Sequence, residues 1–122
     1  MVPVDLLNNL AVLMLENNET LPAQAILNEA YENCQTLLKR QADDNRVKAI
    51  NLTIKFNQGW CLEQVRDIAG ATDLYKAIIA EEPTYTDAYL RLSLLAKSRG
   101  DVKRALDYAD QAKTNHIKKP GY

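Results

Sequence analysis

The chain of 122 residues is predicted to be all-α, built of antiparallel helical hairpins stacked side by side. Three observations predict this. Helix formers such as Ala, Leu, Lys, Glu and Gln are abundant, while the four Gly and four Pro fall mostly where helices should begin or end. A small residue is followed twelve positions later by an Ala three times over: Ala11 and Ala23, Gly59 and Ala71, Ser93 and Ala105. The three copies are 48 and then 34 residues apart, so the pattern is a repeat with one insertion of 14 residues.

Each small-residue couple has a packing reason. A Gly, Ala or Ser on one helix and an Ala on the next let two backbones approach closely, while larger neighbours fill the surrounding space. Around the first couple stand Leu7, Leu10, Met14, Leu27 and Ala30. Leu62, Tyr75, Ile78 and Pro83 surround the second, and Tyr89, Leu92, Ala96, Ala109 and Ala112 the third.

The pattern predicts one array over 1–122, with hairpin one near 4–41, an insertion near 35–48, hairpin two near 49–83 and hairpin three near 84–116. Six helices are expected, near 4–17, 21–41, 44–65, 68–81, 85–98 and 102–115. The inserted stretch is charged and rich in helix formers, so it should lengthen helix 2, helix 3 or both, with a turn near Asp43-Asp44-Asn45. Asp67, Thr84 and Asp101 precede apolar-periodic runs and read as N-caps, with Thr84 and Asp87 spaced like a capping box. Gly100 is placed for a left-handed C-terminal cap, and Pro83 stops the fourth helix.

Bulk composition excludes several functions. Sixteen acidic and fifteen basic residues are mixed along the chain, which lacks the concentrated positive field that captures nucleic acid or anionic lipid. The basic pairs Lys39-Arg40, Lys103-Arg104 and Lys118-Lys119 read as solvated helix surface, with no aromatic residues interleaved for base stacking. No apolar stretch has the length of a membrane span, and a secretory signal pattern is lacking, so the glycosylation sequon Asn51-Leu52-Thr53 reads as chance.

The residues that could carry chemistry are few. Cys34 and Cys61 lie far apart without a CxxC pair or a His-rich neighbour, and read as buried thiols rather than a metal or redox site. The one histidine, His116, stands near a helix end beside Lys118 and Lys119, where it can interact with exposed carbonyls. Asp43-Asp44 and Glu81-Glu82 fall at predicted helix ends and stay hydrated. No phosphate-binding, zinc-protease or nucleophile motif is present, so the chain is expected to have no enzymatic activity, cofactor or small-molecule substrate.

From about Asp5 to Asn115 the pattern resembles the tetratricopeptide repeat (TPR) family, which the 34-residue spacing also matches. The resemblance implies hairpins stacked as a right-handed superhelix. Lys55 and Gln58 depart from it, standing where the family usually has large apolar residues, and Ala109 stands where an aromatic is common. The stretch LLNNLAVL, the lengthened connection and DLYKAIIAEEPTYTDAYLRLSLLAKSRGDVKRALDYADQA together look like the large TPR scaffold subunit of the RNA polymerase II-associated factor complex. That narrower resemblance implies a nuclear scaffold in transcription elongation that binds other protein subunits. The TPR resemblance alone would leave the cytoplasm open.

Repeat arrays bind partners on the concave face formed by the first helix of each hairpin. Helical spacing puts Asp5, Asn8, Val12 and Leu15 there in repeat one, Thr53, Phe56, Trp60 and Glu63 in repeat two, and Asp87, Leu90, Leu94 and Lys97 in repeat three. Val12, Leu15, Phe56, Trp60, Leu90, Arg91 and Leu94 are therefore the expected partner-binding residues, forming an apolar groove for an amphipathic helix or an extended segment. The same spacing also allows Phe56 and Trp60 to turn inward and supply the apolar packing that Lys55 and Gln58 do not.

A co-chaperone clamp for a partner's C-terminal carboxylate is the alternative. Asn57 and Arg91 match two of its positions, but Asn8, Val12 and Asp87 stand where the clamp has Lys, Asn and Lys. Because Met1-Val2-Pro3 runs directly into the first helix and nothing after Asn115 reads as a polar cap, the chain is expected to be a piece of a longer array. Apolar ends around Tyr108, Ala109 and Ala112 would then be able to pair with another copy.

Overall fold

A computed structural model describes residues 2–118, with the backbone alone for His116 to Lys118. The expected helix-end role of His116 beside Lys118 and Lys119 falls outside the described side chains. Six helices are present among the described residues: α1 (Val4–Glu16), α2 (Thr20–Arg40), α3 (Asn45–Gln64), α4 (Ile68–Glu81), α5 (Thr86–Ser98) and α6 (Val102–Lys118). The fold is all-α among the described residues, and the helix bounds lie within a few residues of those expected from the apolar spacing. No helix among them is long and apolar enough to cross a membrane.

The helices form two compact units, the first running to Asp67 and the second beginning at Ile68. In the first unit α1, α2 and α3 enclose a core of Val4, Leu7, Ala11, Leu15, Ala23, Leu27, Ala30, Cys34, Val47, Ile54 and Cys61. Ala11 and Ala23 are both fully buried in it. In the second unit the corresponding couple is in direct contact: the Ser93 hydroxyl donates to the Ala105 carbonyl at 2.7 Å. Gly59 and Ala71 are both buried, one in each unit.

The insertion is absorbed as helix. With 21 residues α2 exceeds the corresponding helix α4 by seven, and with 20 residues α3 exceeds α1 and α5 by seven. Seven residues are close to two turns, so each helix keeps its apolar face in phase while the pair grows by the full fourteen. The Gln35 amide donates to Asn51 at 2.9 Å and the Gln58 amide to Asn28 at 3.4 Å. A seven-residue step forward along α3 is thus a seven-residue step back along α2, and the two helices run antiparallel. Gln58, a departure from the family pattern, has an amide partner here instead of an apolar pocket. The extended pair turns between Arg40 and Asn45, where the Asp44 carboxylate accepts from the amides of Arg46 and Val47 at 2.9 and 3.3 Å and caps α3.

Helices α1, α3 and α5 end in the same backbone motif. Asn18, Arg66 and Gly100 adopt left-handed φ values of 62°, 67° and 81°. Their amides bond to the carbonyls of Leu15, Glu63 and Lys97 at 3.0, 3.1 and 3.0 Å. The next residues, Glu19, Asp67 and Asp101, bond to Met14, Leu62 and Ala96 at 2.8, 2.8 and 3.0 Å. This double closure is the Schellman arrangement, which satisfies carbonyls a helix end would leave open. The three left-handed residues are 48 and 34 positions apart, the spacing of the small-residue couples.

The Asp101 carboxylate accepts from the Arg104 amide at 3.1 Å, an N-cap as expected. The capping box at Thr84 does not form. Helix α5 begins after Tyr85 without a side-chain cap, and the Thr84 hydroxyl and amide both turn back to the Glu82 carboxylate. The hydroxyl donates to the nearby carboxylate, and Thr84 lies one residue outside the N-cap position, which Tyr85 occupies.

Candidate protein-binding surfaces

In the first unit, α1 lies beside α3 in the same direction. The Asn57 amide donates to the Asn8 side-chain carbonyl at 2.8 Å, and the Gln64 amide to the Leu15 carbonyl at 3.1 Å. Both bonds span 49 residues, so the two helices are parallel and in constant register over two turns. Asn8 and Asn57 are buried, at 4% and 6% exposure, because they satisfy each other.

Leu15, expected to line the groove, is 1% exposed and belongs to the core. It sits where the chain reverses at Asn18 into α2, and the returning helix covers it. Val12, Phe56 and Trp60 are half-buried, and Trp60 packs against the core of the first unit. Trp60 thus takes an intermediate place, one side on the core and the other toward solvent. Asp5 is exposed, while Thr53 and Glu63 are half-buried.

In the second unit Leu90 and Leu94 stand one turn apart on α5 and are 46% and 52% exposed. Arg91 beside them is half-buried, and Asp87 and Lys97 are exposed. Val102 and Leu106 on α6, each 61% exposed, form a similar pair outside the expected groove, although their spacing of four is visible in the sequence. Of the end-face residues, Tyr108 and Ala109 are half-buried, but Ala112 is covered, at 3% exposure.

The lengthened pair adds a feature that the composition does not foretell. Beyond the start of α1, an open cleft of about 590 Å³ is lined by Val4, Leu37, Val47 and Ile50, with Asp5 and Arg46 at its rim. A smaller cleft of about 80 Å³ in the second unit is bordered by Lys76, Arg99, Arg104 and Tyr108, and Arg104 lies 3.8 Å from the Asp101 carboxylate.

The thiols are structural. Cys34 Sγ lies 3.7 Å from the Val47 carbonyl and Cys61 Sγ 3.8 Å from that of Thr20, one at each end of the α2–α3 seam. Burial raises the pKa of both, with Lys55 pulling Cys34 weakly the other way. A thiol kept protonated is a poor nucleophile and a poor metal ligand. Asn51 of the sequon is 4% exposed and bonded to Gln35, so it offers no acceptor for a glycan.

Antiparallel helix pairs, buried small-residue positions at a repeated spacing and the thrice-used Schellman turn define a tetratricopeptide-like all-α protein. No protein-family model matches the chain. In a comparison that covers 80% of its length, it is 30% identical to RNA polymerase-associated protein CTR9 of Caenorhabditis elegans. Over 61 residues, 50% of its length, it is 36% identical to the Protein CTR9 homolog of Arabidopsis thaliana. The chain is a homologue of a segment of CTR9, the relationship suggested by LLNNLAVL, the lengthened connection and residues 73–112. It spans 9% and 6% of the length of these two relatives.

Proposed function

We propose that this chain is a non-catalytic protein-binding segment of a nuclear scaffold that works with RNA polymerase II in transcription elongation. The similarity to CTR9 over 80% of the chain carries this reading. The surfaces support it: Leu90 and Leu94 on α5, and the outward sides of Val12, Phe56 and Trp60 in the first unit, are apolar and solvent-facing. Pairs of this kind, one turn apart, suit the apolar stripe of a helical partner segment or the side chains of an extended one. Arg91 stands beside the leucines as a polar edge.

The carboxylate-clamp alternative is the weaker one. The Asn57 amide that would hold a C-terminal carboxylate is buried and bonded to Asn8. Asp87, at a position the clamp fills with Lys, is exposed and repels a carboxylate.

The test is capture of RNA polymerase II and its elongation-complex subunits from nuclear extract by the tagged chain, compared with a Leu90→Asp/Leu94→Asp variant. Both leucines are about half exposed, so the variant should melt with the wild type while capture falls at least tenfold. Equal capture by the two chains rejects the α5 surface, and no capture of polymerase by the wild type rejects the elongation reading.

A further inference from the structure

The Schellman turn between α5 and α6 differs from the other two in its side chains. Arg99 precedes the left-handed residue Gly100, and Arg104 stands four residues after it. The corresponding residues are Asn17 and Pro22 in the first copy and Val65 and Gly70 in the second, so the turn closes without cations at these places. The acid after the turn is kept as Glu19, Asp67 and Asp101, and Asp101 has a structural task in accepting from the Arg104 amide. The fold gives no such task to the two guanidiniums. Both border the cleft of about 80 Å³ in the second unit, which Lys76 reaches from α4 and where Thr72 and Tyr108 add a hydroxyl and a phenol. Its floor is apolar, with Leu92 and Ala96 at 1% and 7% exposure. Among the described residues the side chains of Lys76 and Arg99 make no ion pair or hydrogen bond, and that of Arg104 has only Asp101 at 3.8 Å. Three cations against one carboxylate leave a net charge of +2 around the cleft. The cations repel one another, a cost that a bound anion removes.

We infer that this cleft is a binding site for a phosphorylated side chain of a partner polypeptide, held by Lys76, Arg99 and Arg104. A phosphoserine or phosphothreonine carries about −1.5 to −2 charges at pH 7 and three acceptor oxygens, which matches the excess of cations and their number. Guanidiniums hold such oxygens in two-pronged contacts, and an ammonium holds them as a point charge. At about 30 Å³ per water, a space of about 80 Å³ takes the oxygens of one phosphoryl group and little more. A carboxylate brings one charge and two oxygens, and so leaves part of the cation excess unmatched. A nucleic-acid backbone brings singly charged phosphates in a row, which needs a basic track. Asp73 on α4 and Asp107 and Asp110 on α6 are exposed and interrupt any such track on these helices. The inference depends neither on the polymerase reading nor on the α5 leucines.

The probe is the end-capped peptide Gly-Gly-phosphoserine-Gly-Gly, titrated into the full nitrogen-15-labelled chain and followed through the amides of Gly100, Asp101 and Arg104. These amides should shift saturably in the millimolar range, with affinity at least tenfold above that for the same peptide carrying serine or glutamate. Lys76→Ala and Arg99→Ala should each weaken the phosphopeptide at least threefold, and Arg99→Ala/Arg104→Ala should abolish saturation. All three side chains are exposed, so the variants keep the wild-type melting temperature. Lys39→Ala/Arg40→Ala, which removes a basic pair of α2, should leave the affinity unchanged. Equal affinity for the phosphoserine and glutamate peptides, indifference to Arg99→Ala, or the same shifts at lower concentration with a single-stranded oligonucleotide would each overturn the inference.

Discussion

The side chains of Asn8 and Asn57 bond to each other at 2.8 Å inside the first unit, 49 residues apart in sequence and each less than a tenth exposed. A buried amide pair stabilises little in net terms but is costly to break on one side. Replacing Asn8 by Ala strands the Asn57 amide and should cost about 1–3 kcal/mol. The Asn8→Leu/Asn57→Leu double variant should recover much of that loss. Urea titrations of the two single variants and the double variant check it; additive losses would show that the two amides do not act as a pair.

The left-handed helix ends give the second prediction. Arg66 holds φ 67° at a position where Gly100 holds 81° in the next copy. A side chain in that region costs about 1–2 kcal/mol, partly offset by the extra freedom of an unfolded glycine. Arg66→Gly should therefore stabilise by about 0.5–1 kcal/mol. Gly100→Ala should destabilise by about 1 kcal/mol through backbone strain alone, because a Cβ there meets no atom within 4 Å. Thermal melts of both variants test the pair of opposite signs.

Close helix contacts should be sensitive to size more than to polarity. Ser93→Ala removes a hydroxyl whose acceptor, the Ala105 carbonyl, already lies within α6, and should cost about 0.5–1.5 kcal/mol. Ala11→Leu or Ala23→Leu forces extra volume into sites that are 0% exposed and should cost about 1–3 kcal/mol or more. A leucine tolerated at either site would show that the helices do not approach closely there.

Alkaline pH should weaken the fold. Burial raises the pKa of Cys34, Cys61 and Tyr89, whose ordinary values are 9.0 for the thiols and 10.0 for the phenol. In the folded chain these groups keep protons that the unfolded chain has already released. Their contribution is thus fully present below the unfolded values and is lost as pH rises through the folded ones. For Tyr89 deprotonation also ends donation to the Pro83 carbonyl, made at 2.9 Å. Urea midpoints should be flat from pH 7 to 8 and fall above pH 9, and Cys34→Ser/Cys61→Ser should flatten part of that fall.

The helices are legible in the sequence because apolar spacing, glycines and capping residues are local signals, and their bounds need only small corrections. Leu15 and Asn57 are less legible. Their helical positions say which face they share, whereas the companion helix decides whether that face is open, and the α1–α3 partners lie 49 residues apart. Thr84 misleads for a different reason: its spacing to Asp87 suggests a cap, but the helix begins one residue later, after Tyr85, and the hydroxyl donates to Glu82.

By itself the sequence determined the all-α class, the number and approximate ends of the helices, the repeat with its fourteen-residue insertion, and the likeness to an RNA polymerase-associated protein. All of these rest on periodicities and short-range preferences written along one dimension. Tertiary structure alone decided how the insertion is shared as seven residues in α2 and seven in α3, that Asn8 and Asn57 bury each other, that Leu15 is core, and that Lys76, Arg99 and Arg104 border one cleft. Each depends on which side chains meet across the packed helices, and that pairing is set by the sum of many weak contacts rather than by any residue's own preference.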